Sequence, residues 1–412
     1  MDHESYLIVF RAYPDVDHMA PLAWGLLERG EEVHAVISPG YDAAHDYRFA
    51  FLARYPRFHI HEIGPHSLVR NTLPYAVGFL RRHRVGAVAV EWGFGLRPGY
   101  ERLASPAGVA VVARSFARSL RHARDPHQTR TNFMVAARVL GIPTVSLPHG
   151  LTIKLDQAIT NEAAANGVAR DWRDRNRFAA YVLNTEHHRR WHLDNFRGDP
   201  DVMQTWGSLR WSPTWFELNR RIAPPFEWPH AEGRVKVAFM VPKWQNRVHP
   251  EAVVSLVKRL QALPSVSLAL KGHPRPADGS ADRLRDDPEI DWSRIHDVTA
   301  TDSVSLIAAS DVVIDIGSSI GIEVLMQGKV LVNPCYLHEL TTLFDAIDGS
   351  CVVAHDEYEV VACLERHAFG ARHVVPGAAY DELLRRAVYG SRDEPFDVVR
   401  LYTDRIRELA AG

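Results

Sequence analysis

Four short clusters in the chain carry residue types able to act on an anionic, activated substrate. The first, Leu268-Ala269-Leu270-Lys271-Gly272-His273-Pro274, is an apolar run that stops at a cation, a glycine, an imidazole and a proline. Lys271 and His273 can donate hydrogen bonds to a diphosphate, and Gly272 permits close backbone approach. A solvated lysine beside a turn proline is the structural reading of the same spelling. The second cluster runs Asp311-Val312-Val313-Ile314-Asp315-Ile316-Gly317-Ser318-Ser319-Ile320-Gly321-Ile322-Glu323. Here an apolar strand passes through Gly-Ser-Ser into a helix. Ser318 and Ser319 fall where helical N–H groups lack partners, which suits a phosphate, and Glu323 can accept from ribose hydroxyls. Plain helix capping by the serines is the alternative.

The third cluster, Ser146-Leu147-Pro148-His149-Gly150-Leu151-Thr152-Ile153-Lys154, displays His149 between proline and glycine. An imidazole there can take a proton from an acceptor hydroxyl or donate to phosphate. The fourth, Val90-Glu91-Trp92-Gly93, ends an apolar run on a carboxylate. Glu91 is either a general base with a raised pKa or the partner of a nearby arginine. Asp15-Val16-Asp17-His18 offers a rival base after the first strand, with Asp17 equally readable as a helix N-cap. His18 and Lys154 are assigned to the acceptor side, and Lys243, with Trp244 and Arg247, adds positive charge on the donor side.

Each cluster needs an element to hold it, and the hydrophobic pattern supplies one each time. Tyr6–Phe10, Val33–Ile37, Val85–Val90, Thr144–Leu147, Ala179–Leu183 and Val202–Trp206 read as buried parallel strands alternating with helices. The stretch Ile222-Ala223-Pro224-Pro225-Phe226-Glu227-Trp228-Pro229 then breaks regular structure. Beyond it the alternation restarts with strands at 235–240, 266–270, 312–316 and 330–332, and the chain closes on an amphipathic helix. The organisation expected is residues 1–225 as an N-terminal acceptor domain, 230–393 as a C-terminal nucleotide-donor domain, and 394–412 as a terminal helix. Ligands of doubly wound sheets bind outside the carboxyl ends of the strands, where the four clusters fall.

Composition narrows the class. With 412 residues, 46% hydrophobic and 24% charged, the chain is sized for two globular domains. A net charge of −2 gives no electrostatic footprint for nucleic acid. Cys335, Cys351 and Cys363 match neither a disulfide framework nor a zinc spacing, so no metal site is expected. No targeting or membrane-spanning segment is legible, and a cytoplasmic location is expected, with the inner face of the membrane open. One basic stretch stands apart: Arg114, Arg118, Arg121, His122, Arg124 and Arg130, with Arg81, Arg82 and Arg84. It reads as a solvated surface or as a face for anionic lipid or glycan.

The Pro148-His149-Gly150, Lys271-Gly272-His273-Pro274 and Ser318-Ser319-x-x-x-Glu323 motifs resemble GT-B glycosyltransferases of bacterial surface polysaccharide assembly. The nearest patterns are the capsule Kdo transferases, the bacterial polysialyltransferases and the CDP-glycerol glycerophosphotransferases. The resemblance implies an α/β GT-B fold of two doubly wound Rossmann-like domains facing an interdomain cleft. It further implies His273, Ser318 and Ser319 on the phosphate of a cytidine nucleotide, Glu323 on the ribose, and Glu91 or His149 as base. Tryptophan interrupts the acidic-acidic-Gly motif of the polysialyltransferases at Glu91-Trp92-Gly93. Gly317 replaces the tyrosine of the glycerophosphotransferases. The activity implied is metal-independent transfer of a sugar from a nucleotide-sugar donor, itself a substrate and not a cofactor, to a glycan or lipid-linked glycan acceptor. A CDP-polyol phosphotransferase, a non-hydrolysing UDP-sugar 2-epimerase and a non-catalytic glycan-binding protein are the alternatives.

Overall fold

The computed structural model describes residues 4–39, 41–63, 70–91, 110, 113–114, 117, 126–148, 150–151, 153–155, 173–229, 231–244, 247–272, 280–371 and 373–412. Two compact units emerge: Met1–Leu151, Ala169–Ile222 and Arg385–Gly412 form one, Thr152–Val168 and Ala223–Leu384 the other. Each is an α/β unit on one parallel sheet, as expected for Rossmann-like domains of the GT-B type.

The first unit carries a seven-stranded sheet ordered β3-β2-β1-β4-β5-β6-β7. Its strands are β1 (Ser5–Phe10), β2 (Glu32–Ile37), β3 (Phe58–Glu62), β4 (Val85–Glu91), β5 (Thr144–Leu147), β6 (Ala180–Leu183) and β7 (Met203–Thr205). β4 is buried at every position because helices cover both faces of a parallel sheet. Three helices matter below: α1 (Tyr13–Glu28), α2 (Tyr47–Leu52) and α3 (Leu73–Arg82). α1 starts earlier than the sequence suggests. Its N-cap is Ala12, and Asp15, at the third helical position, accepts from the Arg11 and Ala12 N–H groups at 2.7 and 3.2 Å. Asp17 is therefore inside the helix and not its N-cap. The terminal helix Val398–Ala411 packs on α1 within this unit. A Cβ on Gly25 would lie 2.4 Å from Val399 Cγ1 and 2.8 Å from Thr403 Cγ2, so only glycine admits the helix.

The second unit has a six-stranded sheet ordered β10-β9-β8-β11-β12-β13. These are β8 (Val235–Met240), β9 (Val266–Lys271), β10 (Ile295–Asp297), β11 (Val312–Asp315), β12 (Val330–Pro334) and β13 (Val352–Ala354). Val237, Phe239, Leu256, Val257, Leu268, Ile314 and Val332 centre its core. Residues 153–155 join this unit by pairing: Lys154 bridges Thr342, and Leu343 N–H donates to Ile153 O at 2.8 Å. Lys154 thus stands with the second unit, within a stretch that the sequence reading counted in the N-terminal domain. Among the described residues no helix is long and apolar enough to cross a membrane.

Candidate functional site

Each strand order reverses direction once, between β8 and β11 in the second unit and between β1 and β4 in the first. Such reversals leave a crevice at the carboxyl ends of the strands. In the second unit the register aligns Lys271, Met240 and Asp315 across β9, β8 and β11, so three strands end level at the reversal. Gly317 turns the chain there with φ +60, a left-handed value that favours glycine. A Cβ at that position would also press on Thr342 Cγ2 at 3.1 Å.

The turn is built by a residue not singled out in the sequence. Asp315, 2% exposed, accepts from Ser318 Oγ at 2.7 Å and from Ser318 N–H at 3.0 Å. Burial pushes its carboxyl up to about 7, against the lowering effect of these bonds. Ser318 Oγ in turn accepts from Ile320 N–H at 3.2 Å. The Ser318 hydroxyl therefore organises the turn. Ser319, the N-cap of helix Ile320–Met326, makes no side-chain cap bond. Glu323 is buried in the same helix.

Around this turn the β8 loop is fastened to the segment after β12. Val248 bridges His338, and His249 N–H donates to Leu337 O at 2.8 Å. His338 Nδ1 accepts from Leu340 N–H at 3.1 Å, so its Nε2 carries the proton and donates to Asn333 Oδ1 at 3.3 Å. That ring lies against Gly317. Thr342 donates from N and Oγ1 to Asp345 Oδ2 at 2.6 and 2.8 Å. His338, Thr342 and Asp345 thus form a scaffold beneath the turn, and no local motif announces them. Lys243, half-buried, begins the β8 loop. Lys271 donates to the carbonyls of Thr299, at 3.2 Å, and Thr301, so its ammonium also braces the loop after β10. His273 lies outside the described residues.

In the first unit the reversal is crowded with arginine. Glu91, 4% exposed, has Oε2 paired with Arg130 Nη1 at 2.8 Å and Arg11 Nη2 at 3.0 Å. Burial lowers the Arg130 guanidinium, partly offset by Glu91. The pairing read as the alternative for Glu91 is the one observed, with both guanidiniums on Oε2. Asp17 bridges Arg48 and Arg210, the latter at 2.8 Å, which removes it as a rival base. His18 is buried against Trp211, ring centroids 5.9 Å apart, and packs the interior. Leu147 aligns with Glu91, and His149 follows two residues on, outside the described residues, as are Trp92 and Gly93.

No protein-family profile matches the sequence, and no curated protein does. Solved structures do match the fold. The UDP-N-acetylglucosamine 2-epimerase assigned in Listeria monocytogenes superposes with a TM-score of 0.59 at 12% identity, covering 99% of this chain and 98% of its own. S. aureus MnaA, solved with UDP, gives 0.58 at 12% identity over 98% and 96%. The wall teichoic acid polymerase TagF, soaked with CDPG, gives 0.51 at 9% identity over 99% and 89%. The class defined is the GT-B fold, shared with enzymes that handle nucleotide-linked substrates.

Proposed function

We propose that the chain is a GT-B glycosyltransferase that moves a sugar from a nucleotide donor, CMP-linked, to a hydroxyl of a surface-glycan acceptor. The observation that carries this reading is the second unit's turn. Asp315 fixes Ser318, Gly317 opens the backbone, and Ser319 caps the helix without a side-chain bond, beside the Lys243 loop at the reversal of strand order. Ser319, Lys243 and His273 hold the donor phosphate, and Glu323 and Lys271 support that pocket from behind.

On the acceptor side the hydroxyl oxygen attacks the anomeric carbon as the bond from that carbon to the phosphate oxygen breaks. The electron pair leaves with the nucleotide, where preorganised donors stabilise it. His149 takes the hydroxyl proton, since Glu91 is engaged by Arg11 and Arg130.

Epimerisation of a UDP-sugar at C2 is the second reading, favoured by the 2-epimerase among the similar folds. Proton NMR separates the two. Transfer to an oligosaccharide from a CMP-sugar, with UDP-N-acetylglucosamine left unchanged, is the expected result. Appearance of the C2 epimer without any acceptor overturns the transferase reading.

A further inference from the structure

Arg118, Arg121, His122 and Arg124 of the basic stretch lie outside the described residues, and the described arginines are held in different ways. Arg84 pairs with Glu4, and Arg130 is buried on Glu91. Arg82 instead lines a cavity of about 850 Å³ within the first unit, beside β3, the outermost strand of the described sheet, and between α2 and α3. Arg70 lines the same cavity, and both side chains are exposed. Neither guanidinium is in an ion pair with a described carboxylate, whereas Arg48, Arg84 and Arg130 nearby all are.

The rest of the wall is suited to a carbohydrate. The half-buried Tyr75 offers ring surface backed by the buried Phe79, and Ile60, 37% exposed, gives an apolar floor. Val33 N–H donates to Arg57 O at 2.9 Å and Ile63 N–H to Ile37 O at 3.0 Å. Alternation along a parallel pair therefore turns the main-chain groups of Ile60 and Glu62 outward, toward the cavity. These amides, the Glu62 carboxylate, and the imidazoles of His61 and His83 can bond hydroxyls. The volume falls within the ~300–1,000 Å³ typical of small-ligand sites and exceeds what a lone phosphate fills.

We propose that this cavity binds an acidic sugar, its carboxylate or phosphate held between Arg70 and Arg82 and its ring against Tyr75. The inference deepens the proposed function, on which it rests, because the first unit is the one assigned to the glycan acceptor. β3 lies two strands from β1, a lateral offset on the order of 10 Å at the usual strand spacing. An acceptor chain seated here therefore carries its charge one or more residues away from the attacking hydroxyl.

Titration calorimetry of the full chain tests this without any donor. The probes are trigalacturonic acid, the neutral galactose trimer, galactose 1-phosphate and inorganic phosphate. The acidic trimer is expected to bind at least ~10-fold more tightly than the neutral one, with the difference shrinking in 0.5 M salt. The Arg70→Ala/Arg82→Ala double variant removes that preference, while Arg81→Ala, exposed on the same helix but outside the cavity, keeps it. Binding by the sugar phosphate but not the uronate places phosphate as the recognised charge; the reverse places carboxylate. Equal binding of acidic and neutral trimers, an unchanged double variant, or binding by inorganic phosphate alone overturns the proposal. Acid-sugar binding without sugar transfer overturns the transferase reading and leaves the cavity assignment standing, so the two failures are distinct.

Discussion

Asp315 links the sequence motif to a chemical property the motif does not display. Both its oxygens serve Ser318, yet burial holds its proton up to about 7. The unfolded carboxyl titrates near ~4, so the folded state binds the extra proton between about 4 and 7. Its stabilising share is present at low pH and is lost as pH rises through 7. The same ionisation sets a negative charge beneath the turn assigned to the donor phosphate. Nucleotide affinity is expected to fall ~3–10-fold from pH 6 to pH 8, with an inflection near 7. Asp315→Asn keeps an acceptor for Ser318 and removes the inflection; calorimetry across that range checks it. An identical pH profile in the variant contradicts the assignment. At this scale the sequence was partly legible. Strand ends flagged Lys271, Ser319 and Glu91, but Asp315 was hidden inside an apolar run, and the arginines on Glu91 come from positions 80 and 39 residues away.

Among the elements, β2, β3 and α3 share an unusual seam. His34 Nδ1 and His61 Nε2 are 3.0 Å apart, His34 stacks on His59 at 5.0 Å between centroids, and the His83 ring lies 4.2 Å from His34. Burial first, then the neighbouring imidazoles, lowers His34 to about 3 and His61 to about 4, and His83 is lowered as well. Unfolded histidines titrate near ~6.5, so the unfolded chain binds more protons across the window between. Stability is therefore full above about 6.5 and declines as pH falls toward 4, by on the order of 2 kcal/mol after allowance for solvent screening. Urea titrations at pH 7.5 and 5.0 measure the loss. His34→Gln/His61→Gln is expected to reduce the slope without abolishing it, because His188 and His192 are lowered to about 3 and 4 by burial. A slope equal to that of the wild type contradicts the account. Histidine content also explains why β3 escaped the sequence reading. Phe-His-Ile-His-Glu spells no apolar run, and its strand character comes from pairing with β2. β10 and β13, three residues each, are likewise fixed by their neighbours.

For the whole molecule, the strand–helix alternation made two doubly wound units legible, because buried parallel strands must be nearly all apolar. Chain crossings were not legible. The return of residues 385–412 to the first unit depends on Gly25 and on Gly207, whose φ of +86 lets Tyr402 donate to its carbonyl at 2.7 Å. Pairing of Lys154 with Thr342 is likewise a long-range contact with no local spelling. The fold is shared with a 2-epimerase and with a teichoic acid polymerase at 12% and 9% identity, so architecture alone does not choose the reaction. That choice rests on the nucleotide site proposed for the second unit. Calorimetry with CMP, CDP and UDP, on wild type and on Lys243→Ala/Ser319→Ala, addresses it directly. A cytidine nucleotide is expected to bind the wild type at micromolar levels and the variant at least ~10-fold more weakly, as loss of charge-assisted phosphate bonds requires. Failure of any nucleotide to bind, or binding unchanged in the variant, would contradict the assignment of this turn to the donor phosphate.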